Sequence, residues 1–512
     1  MKTFKLTGFN LTIEDVYEIA SAKSNELSFV IDSESEKKIL ESKKLVLEIT
    51  KKGQPVYGIN TGFGALASKL INEADLKELQ YNLIRSHCTG VGKPFSREIV
   101  RAIMICRVNC LIQGYSGIDH KIIQLILKFL ECDIIPFVPE KGSVGASGDL
   151  APLAHIALSL IGEGSVLKNN EKIPTNKALS EAGLNPIVLG PKDGLALING
   201  TSVMLALGCL SVFESDILMK TADIAGALTL DAVRGTPKAF DHRISLLKPH
   251  AGQIAVAKNL NILISQSEII HSHPEDGKVQ DPYSLRCMPQ VHGACRQTLK
   301  HAREVIDTEL NSVTDNPLVF VKDNEVVSGG NFHGQAIAMC MDYLAMGLAE
   351  ICSMAERRVE KMMNPHFSDL PPFLIKDSGL NSGLMIAHVT LASLVSENKI
   401  LCHPASVDSV PTSTDKEDHV SMGVTAGRKL REIIFNTKTA LAIEFLCNSQ
   451  GLDLLRPLKS SPALEAVHTL IRQHVKPIFK DRVFSDDIEK LSELVEHGSI
   501  LKTVEKICSP LN

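Results

Sequence analysis

Between Pro191 and Pro237, and again between Pro317 and Pro365, the chain carries no proline. The runs enclosed there include SVMLALGCLSVFESDILMKTADIAGALTL and HGQAIAMCMDYLAMGLAEICSMAERRVEKMM, and SMGVTAGRKLREIIFNTKTALAIEFLCNSQG later in the chain has the same character. Apolar runs of this length without breakers read as single helices. A helix of about 30 residues spans about 45 Å, more than a small domain is wide. The chain is therefore expected to be mainly α, an elongated bundle of long helices. Several of these helices are apolar around most of their circumference, and packing against other copies of the chain is the economical cover.

The first two hundred residues have a different texture. Proline and glycine punctuate IIPFVPEKGSVGASGDLAPLAH and KIPTNKALSEAGLNPIVLGPKDG, which predicts shorter helices and ordered loops. The change of texture divides the chain into an N-terminal domain over 1–200 and a long-helix domain over 201–512. Strand-like alternation is scarce, with VYGINTG and NEVVSGG as the short candidates.

Charge and composition exclude several functions. A net charge of -5 with both signs interspersed offers no basic stripe for nucleic acid and no polybasic anchor for a membrane. With 17 Phe, 6 Tyr and no Trp, stacking on bases is a poor prospect as well. The start, MKTFKLTGFNLTIEDVYEIA, builds no continuous apolar core, so a secretory signal is not expected and a cytoplasmic protein is. The 12 cysteines form no C-x-x-C pair, and reduced, buried thiols are expected.

The stretch KGSVGASGDLAP, residues 141–152, resists the familiar glycine-loop readings. No Lys follows Gly148 as a phosphate-cradling loop needs. Gly142, Gly145 and Gly148 recur every third residue, unlike a dinucleotide fingerprint. Asp149 stands where a nucleophile elbow needs glycine. A flexible turn remains the plain reading. A chemical one also exists: attack of the Gly148 nitrogen on the Ala146 carbonyl closes a five-membered ring, and loss of water from the ring and from Ser147 leaves an exocyclic methylidene. Glycine does not obstruct the attack, alanine is small, and serine has the hydroxyl to lose. The product is an electrophile, which ordinary side chains do not supply.

Two other constellations point less far. His271 and His273 with Glu275 and Asp276 have metal-ligand chemistry, but Pro274 and the polar setting suggest a loop, and no metal is expected. Asp418 and His419 lack an accompanying serine elbow and read as a structural hydrogen bond.

Segments along most of the chain resemble the aromatic amino acid ammonia-lyases, most closely the branch acting on histidine. They are VYGINTGFG (56–64), LIRSHCTGVGKP (83–94), GSVGASGDLAPLAH (142–155), GLALINGT (194–201), VQDPYSLRCMPQVHGA (279–294), TDNPLV (314–319), SGGNFHGQ (328–335), NSGLMIAHVT (381–390) and HPASVDSVPTSTDKEDHVSMG (403–423). The resemblance implies a fold like the aspartase and fumarase superfamily. It also implies that Ala146, Ser147 and Gly148 form a 4-methylidene-imidazol-5-one (MIO) group, with Asp149 involved in its formation. No dissociable cofactor is implied. The expected reaction is elimination of ammonia from L-histidine to give trans-urocanate, by a cytoplasmic homotetramer whose sites are shared between subunits. The alternatives are a tyrosine or phenylalanine lyase and a 2,3-aminomutase.

The same resemblance implies roles for single residues. Tyr57 is the base that takes a weakly acidic proton; since a phenol ordinarily titrates near ~10, the site must favour the phenolate. Tyr283 and Glu417 join it in the catalytic group. Arg286 resembles the clamp on the substrate carboxylate, a task suited to the guanidinium fork. Asn199 and Gln280 resemble pocket-lining hydrogen-bonders, and Phe332 an aromatic wall. Substrate choice falls on Ser86-His87: related phenylalanine lyases tend to carry an apolar pair there, tyrosine lyases His-Leu, and histidine lyases Ser-His. One imidazole can donate where another accepts. Glu417 resembles the acid facing the substrate ring, although Lys416 stands where related histidine lyases often carry Gln.

Overall fold

The computed structural model describes residues 1–52, 55–62, 69–169, 171–273 and 279–512. It is about 60% helical. Each proline-bounded run contains one long helix, Ser202–Ala232 (31 residues) and Gln335–Met363 (29 residues), and the third run forms Gly423–Leu454 (32 residues). Helices Ser202–Ala232 and Gln335–Met363 have the length and composition of membrane spans, but 78% and 67% of their most apolar windows are buried inside the protein. They are core helices.

Burial of the long helices within the chain is uneven. Helix Ser202–Ala232 is buried almost end to end by its own chain. Exposed apolar side chains gather elsewhere, at Ile386, Val389 and Ile400 on helix Met385–Leu401 and at Met339, Tyr343 and Met346 on helix Gln335–Met363.

The chain falls into two compact units, each assembled from three stretches. The first comprises Met1–Phe213, Ala302–Asp342 and Pro404–Arg428; the second comprises Glu214–His301, Tyr343–His403 and Lys429–Asn512. A division into 1–200 and 201–512 follows chain order, whereas these units interleave.

In the first unit the strands are short and local. Lys2–Leu6 pairs in parallel with Leu27–Ile31, Val91–Pro94 pairs with Pro139–Lys141, and Ser165–Lys168 lies between Ile135–Pro136 and Glu171–Pro174. NEVVSGG does contain a strand, Glu325–Val327, antiparallel to Leu318–Phe320. VYGINTG does not: Gly58 takes φ +74° and the Asn60 side chain accepts the Val56 N–H at 2.8 Å, which closes a turn. Helix Arg97–Leu111 is buried from Val100 onward and forms part of this unit's core. Its Arg107 guanidinium donates to the Ala196 carbonyl, on the fully buried helix Asp193–Ile198.

The second unit buries charge as well as hydrocarbon. Arg358 and Glu444, both fully inaccessible, form a two-pronged ion pair at 2.6 and 2.9 Å. Arg358 Nη1 also donates to His292 Nε2 at 3.2 Å, while His292 Nδ1 lies 2.8 Å from Asp223 Oδ1. A guanidinium only donates, so His292 is the neutral tautomer with its proton on Nδ1. Burial lowers the His292 pKa despite the Asp223 carboxylate. The 12 cysteines are free thiols, and burial pushes Cys295, Cys340 and Cys352 up to about 12.

Candidate active site

The GASG turn is held by backbone more than by side chains. Gly148 has φ +75°, and a Cβ there would overlap the carbonyl oxygen of Gly200. Glycine is therefore required at 148 on two counts. The Gly200 N–H donates to the Ser147 carbonyl at 3.1 Å, and the Asp149 N–H donates to the Gly200 carbonyl at 2.8 Å. On the other side of the turn the Met422 N–H donates to the Val144 carbonyl at 2.9 Å, and a Cβ on Gly145 would overlap Ser421 Oγ.

Asp149 starts helix Leu150–Leu160 but its side chain does not cap it. Its Oδ2 accepts the N–H groups of Val203 and Met204, both at 2.9 Å, in the first turn of helix Ser202–Ala232. Such N–H groups lack partners within their own helix. Ser143 Oγ donates to Asp149 Oδ1 at 3.1 Å and accepts the Gly145 N–H at 3.2 Å, so one buried carboxyl ties the turn to the long helix. Burial pushes the Asp149 pKa up to about 7, against its hydrogen bonds to Met204, Ser143 and Val203.

Ser147 faces Glu417, with Oγ 3.5 Å from Oε1. The Glu417 charge also acts on His87, the last residue of helix Leu76–His87. His87 Nδ1 lies 2.7 Å from the Leu83 carbonyl, which can only accept, so Nδ1 carries the proton and Nε2 is left as an acceptor. Burial lowers the His87 pKa, while the Leu83 carbonyl and the Glu417 charge favour the proton. Lys416, beside Glu417, is exposed.

Behind the turn, Asn199 Nδ2 donates to Asp315 Oδ1 and to the Asn316 carbonyl, each at 3.0 Å. Both partners are acceptors, which fixes the orientation of the amide and leaves Oδ1 as its other polar atom. Asp315 is paired in turn with fully buried Lys192 at 2.9 Å. Tyr57 is half-buried in its turn. The next residue, Gly58, packs so closely that a Cβ would lie 2.6 Å from Leu195 Cδ2 and 2.8 Å from Pro317 Cδ. Phe332 is half-buried between Asn331, which donates to the Val313 carbonyl at 3.1 Å, and His333, which donates to the His419 carbonyl at 3.2 Å. The His333 and His419 rings stack with centroids 5.8 Å apart.

The expected site residues divide between the units. His87, the triad, Asp149, Asn199, Phe332, Glu417 and Tyr57 belong to the first, where bonds through the GASG turn connect the triad to Asn199-Gly200 and to Glu417. Gln280, Tyr283 and Arg286 belong to the second. There Tyr283–Arg286 forms a single helical turn, with the guanidinium 4.6 Å from the Tyr283 ring centroid. Buried Asp281 anchors this segment by accepting the Thr236 N–H at 2.7 Å, whereas Tyr283 is 69% exposed. Phe63 and Gly64 of VYGINTGFG, and Pro274, Glu275 and Asp276 beside His273, lie outside the described residues.

Several residues that build the site carried no assignment from sequence. Gly200 was visible only as part of GLALINGT. His155 accepts the Gly90 N–H on Nε2 at 3.2 Å, holding the segment after His87, and burial lowers its pKa, as does the Lys172 charge. Gln80 Oε1 accepts the N–H groups of Gly194 and Leu195 at 2.8 and 3.4 Å, at the start of helix Asp193–Ile198, which Asn199 follows. A buried glutamine or lysine has no local sequence signature.

Known proteins share both the sequence and the fold. The model of the aromatic amino acid lyase family matches residues 11–473. The chain is 46% identical to histidine ammonia-lyase of Symbiobacterium thermophilum, over 98% of this chain and 99% of that protein. It is 47% identical to the histidine ammonia-lyase of Homo sapiens, over 96% of this chain and 76% of that one. The crystal structure of histidine ammonia-lyase from Trypanosoma cruzi superposes with a TM-score of 0.91 at 41% identity, covering 99% of this chain and 95% of that one. Tyrosine aminomutase from Streptomyces globisporus superposes with a TM-score of 0.94 at 36% identity, over the whole of both chains. The tight Gly148–Gly200 contact and the carboxylate facing Ser147 thus sit in a chain that belongs to the aromatic amino acid lyase family.

Proposed function

We propose that this chain eliminates ammonia from L-histidine to give trans-urocanate, and that Ala146, Ser147 and Gly148 cyclise to MIO. The observation that carries the substrate choice is the Glu417 carboxylate, whose Oε1 lies 3.5 Å from Ser147 Oγ. A phenyl ring offers this carboxylate no donor, whereas an imidazole brings an N–H. Sites built to hydrogen-bond a substrate group reject analogues that lack it far more strongly than they reject a missing methylene. The high identity to histidine ammonia-lyases supports the same choice.

The residues present fit the prosthetic group. No side chain can be accommodated at Gly148, Ala146 is small and buried, and the serine hydroxyl lies beside a carboxylate. When formed, the group supplies an electrophile that activates the substrate for loss of ammonia. The protein's own groups do the rest. Tyr57 removes the proton on the carbon beta to the amine, Arg286 holds the substrate carboxylate, and Tyr283, Gln280 and Asn199 hydrogen-bond within the pocket. Phe332 supplies an apolar wall. His87 and Glu417 orient the ring.

The working form is a cytoplasmic homotetramer whose sites draw on several chains. The exposed Tyr283 and the exposed apolar faces of helices Met385–Leu401 and Gln335–Met363 support this reading, since subunit contact is what buries such groups. Purified protein given L-histidine should release ammonia and the conjugated imidazole acid in equal amounts. Formation of a β-amino acid would make it an aminomutase, and faster turnover of L-tyrosine or L-phenylalanine would overturn the substrate.

A further inference from the structure

The loop carrying Glu417 closes on itself. The Thr412 N–H donates to the Glu417 carbonyl at 3.0 Å and the Glu417 N–H donates back to the Thr412 carbonyl at 3.4 Å. Between them Ser413, Thr414 and Asp415 take φ of 50°, 52° and 63°, three successive residues in the left-handed region without a glycine. L residues avoid that region, and a β-branched threonine avoids it most. Such a run persists only where its surroundings over-determine it, as they do at functional sites.

The consequence of the closure is the aim of one side chain. Thr412 Oγ1 donates to Glu417 Oε2 at 2.7 Å, and the other oxygen, Oε1, is the one facing Ser147. The loop is tied down on its far side as well, by the Val420 N–H on Ser409 Oγ and the Met422 N–H on the Val144 carbonyl, both at 2.9 Å. Without the Thr412 hydroxyl, the Glu417 side chain has rotameric freedom and either oxygen can turn to the pocket.

We infer that Thr412 is a positioning residue for recognition of the substrate ring: its hydroxyl commits Oε2 and so presents Oε1 to the imidazole N–H. This rests on the reading that Glu417 meets that ring. A hydroxyl that merely closed the turn would affect all ligands alike.

The test uses the full-length assembled enzyme and three variants, Thr412→Val, Thr412→Ser and Glu417→Gln, with L-histidine kinetics, inhibition by L-phenylalanine and thermal unfolding. Valine keeps the shape of threonine and removes the donor. Thr412→Val should lower kcat/KM for L-histidine by about tenfold to a hundredfold, as expected for a hydrogen bond to a charged group. Its inhibition constant for L-phenylalanine, whose ring has no N–H, should stay within about twofold. Thr412→Ser should recover most of the activity. Equal losses toward both ligands, or a serine variant as impaired as the valine one, would overturn the inference. If Glu417→Gln is impaired and Thr412→Val is not, the inference alone fails. If Glu417→Gln matches the parent, or the parent does not turn over L-histidine, the reading beneath it fails and takes the inference with it.

Discussion

The Oδ2 oxygen of Asp149 accepts the backbone N–H of Val203 at 2.9 Å, so the residue that follows Ala146-Ser147-Gly148 caps a helix beginning about fifty positions later. Asp149→Ala should leave the Val203 and Met204 N–H groups and the Ser143 hydroxyl without their buried acceptor, a loss of about 1–3 kcal/mol in unfolding free energy. Asp149→Asn retains an acceptor oxygen and should lose much less. Urea unfolding of both variants checks the order. An alanine variant as stable as the asparagine one would remove the cap from the account.

His292 should make stability depend on pH. The fold needs its neutral form, because protonating Nε2 sets it against the Arg358 donor. Its folded pKa is lowered by burial, so as pH falls the unfolded chain binds the proton first, near ~6.5. The unfolded state then binds more protons, and this contribution is complete above about 6.5 and lost as pH falls toward the folded pKa. Urea midpoints at pH 8 and pH 5.5 should therefore fall with pH, and His292→Gln should flatten the dependence while lowering stability at pH 8. A variant with an undiminished slope would place the pH sensitivity elsewhere, for example at His87 or His155.

On the proposed function, His87→Phe removes a polar partner of the substrate ring. The loss of about 1–3 kcal/mol in transition-state binding corresponds to roughly tenfold to a hundredfold in kcat/KM for L-histidine. Thermal unfolding should change little, since the helix ending at His87 keeps its packing. Parental turnover in this variant would make His87 a packing residue.

The proposed sharing of sites between subunits can be read by complementation. Tyr57→Phe and Tyr283→Phe should each be nearly inactive. Unfolded and reassembled together, they should regain turnover, because random assortment gives roughly a quarter of shared sites both tyrosines. Mixed tetramers as inactive as their parents would mean that each site draws both tyrosines from one chain.

The long helices were legible because nothing in the runs around Ser202–Ala232, Gln335–Met363 and Gly423–Leu454 breaks a helix, and the candidate site could be proposed where its residues are contiguous, as in GASGD. What stayed hidden depends on contacts between distant segments. The first unit recruits 302–342 and 404–428 across the chain, which no local texture announces. VYGINTG alternates like a strand, yet Gly58 and Asn60 turn it. Asp149 precedes one helix in the sequence while its side chain serves another, and Thr412 is an ordinary loop residue until the partner of its hydroxyl is known.

Every proposed role depends on the electrophile, so the mass of the peptide spanning Ala146 to Gly148 is the most direct measurement. From enzyme active on L-histidine this peptide should be lighter than encoded by two waters, and in Ser147→Ala, where the methylidene cannot form, turnover should be nearly abolished. Gly148→Ala, whose Cβ would overlap the Gly200 carbonyl, should give the encoded mass and no turnover. A peptide of encoded mass in fully active parent enzyme would contradict the account.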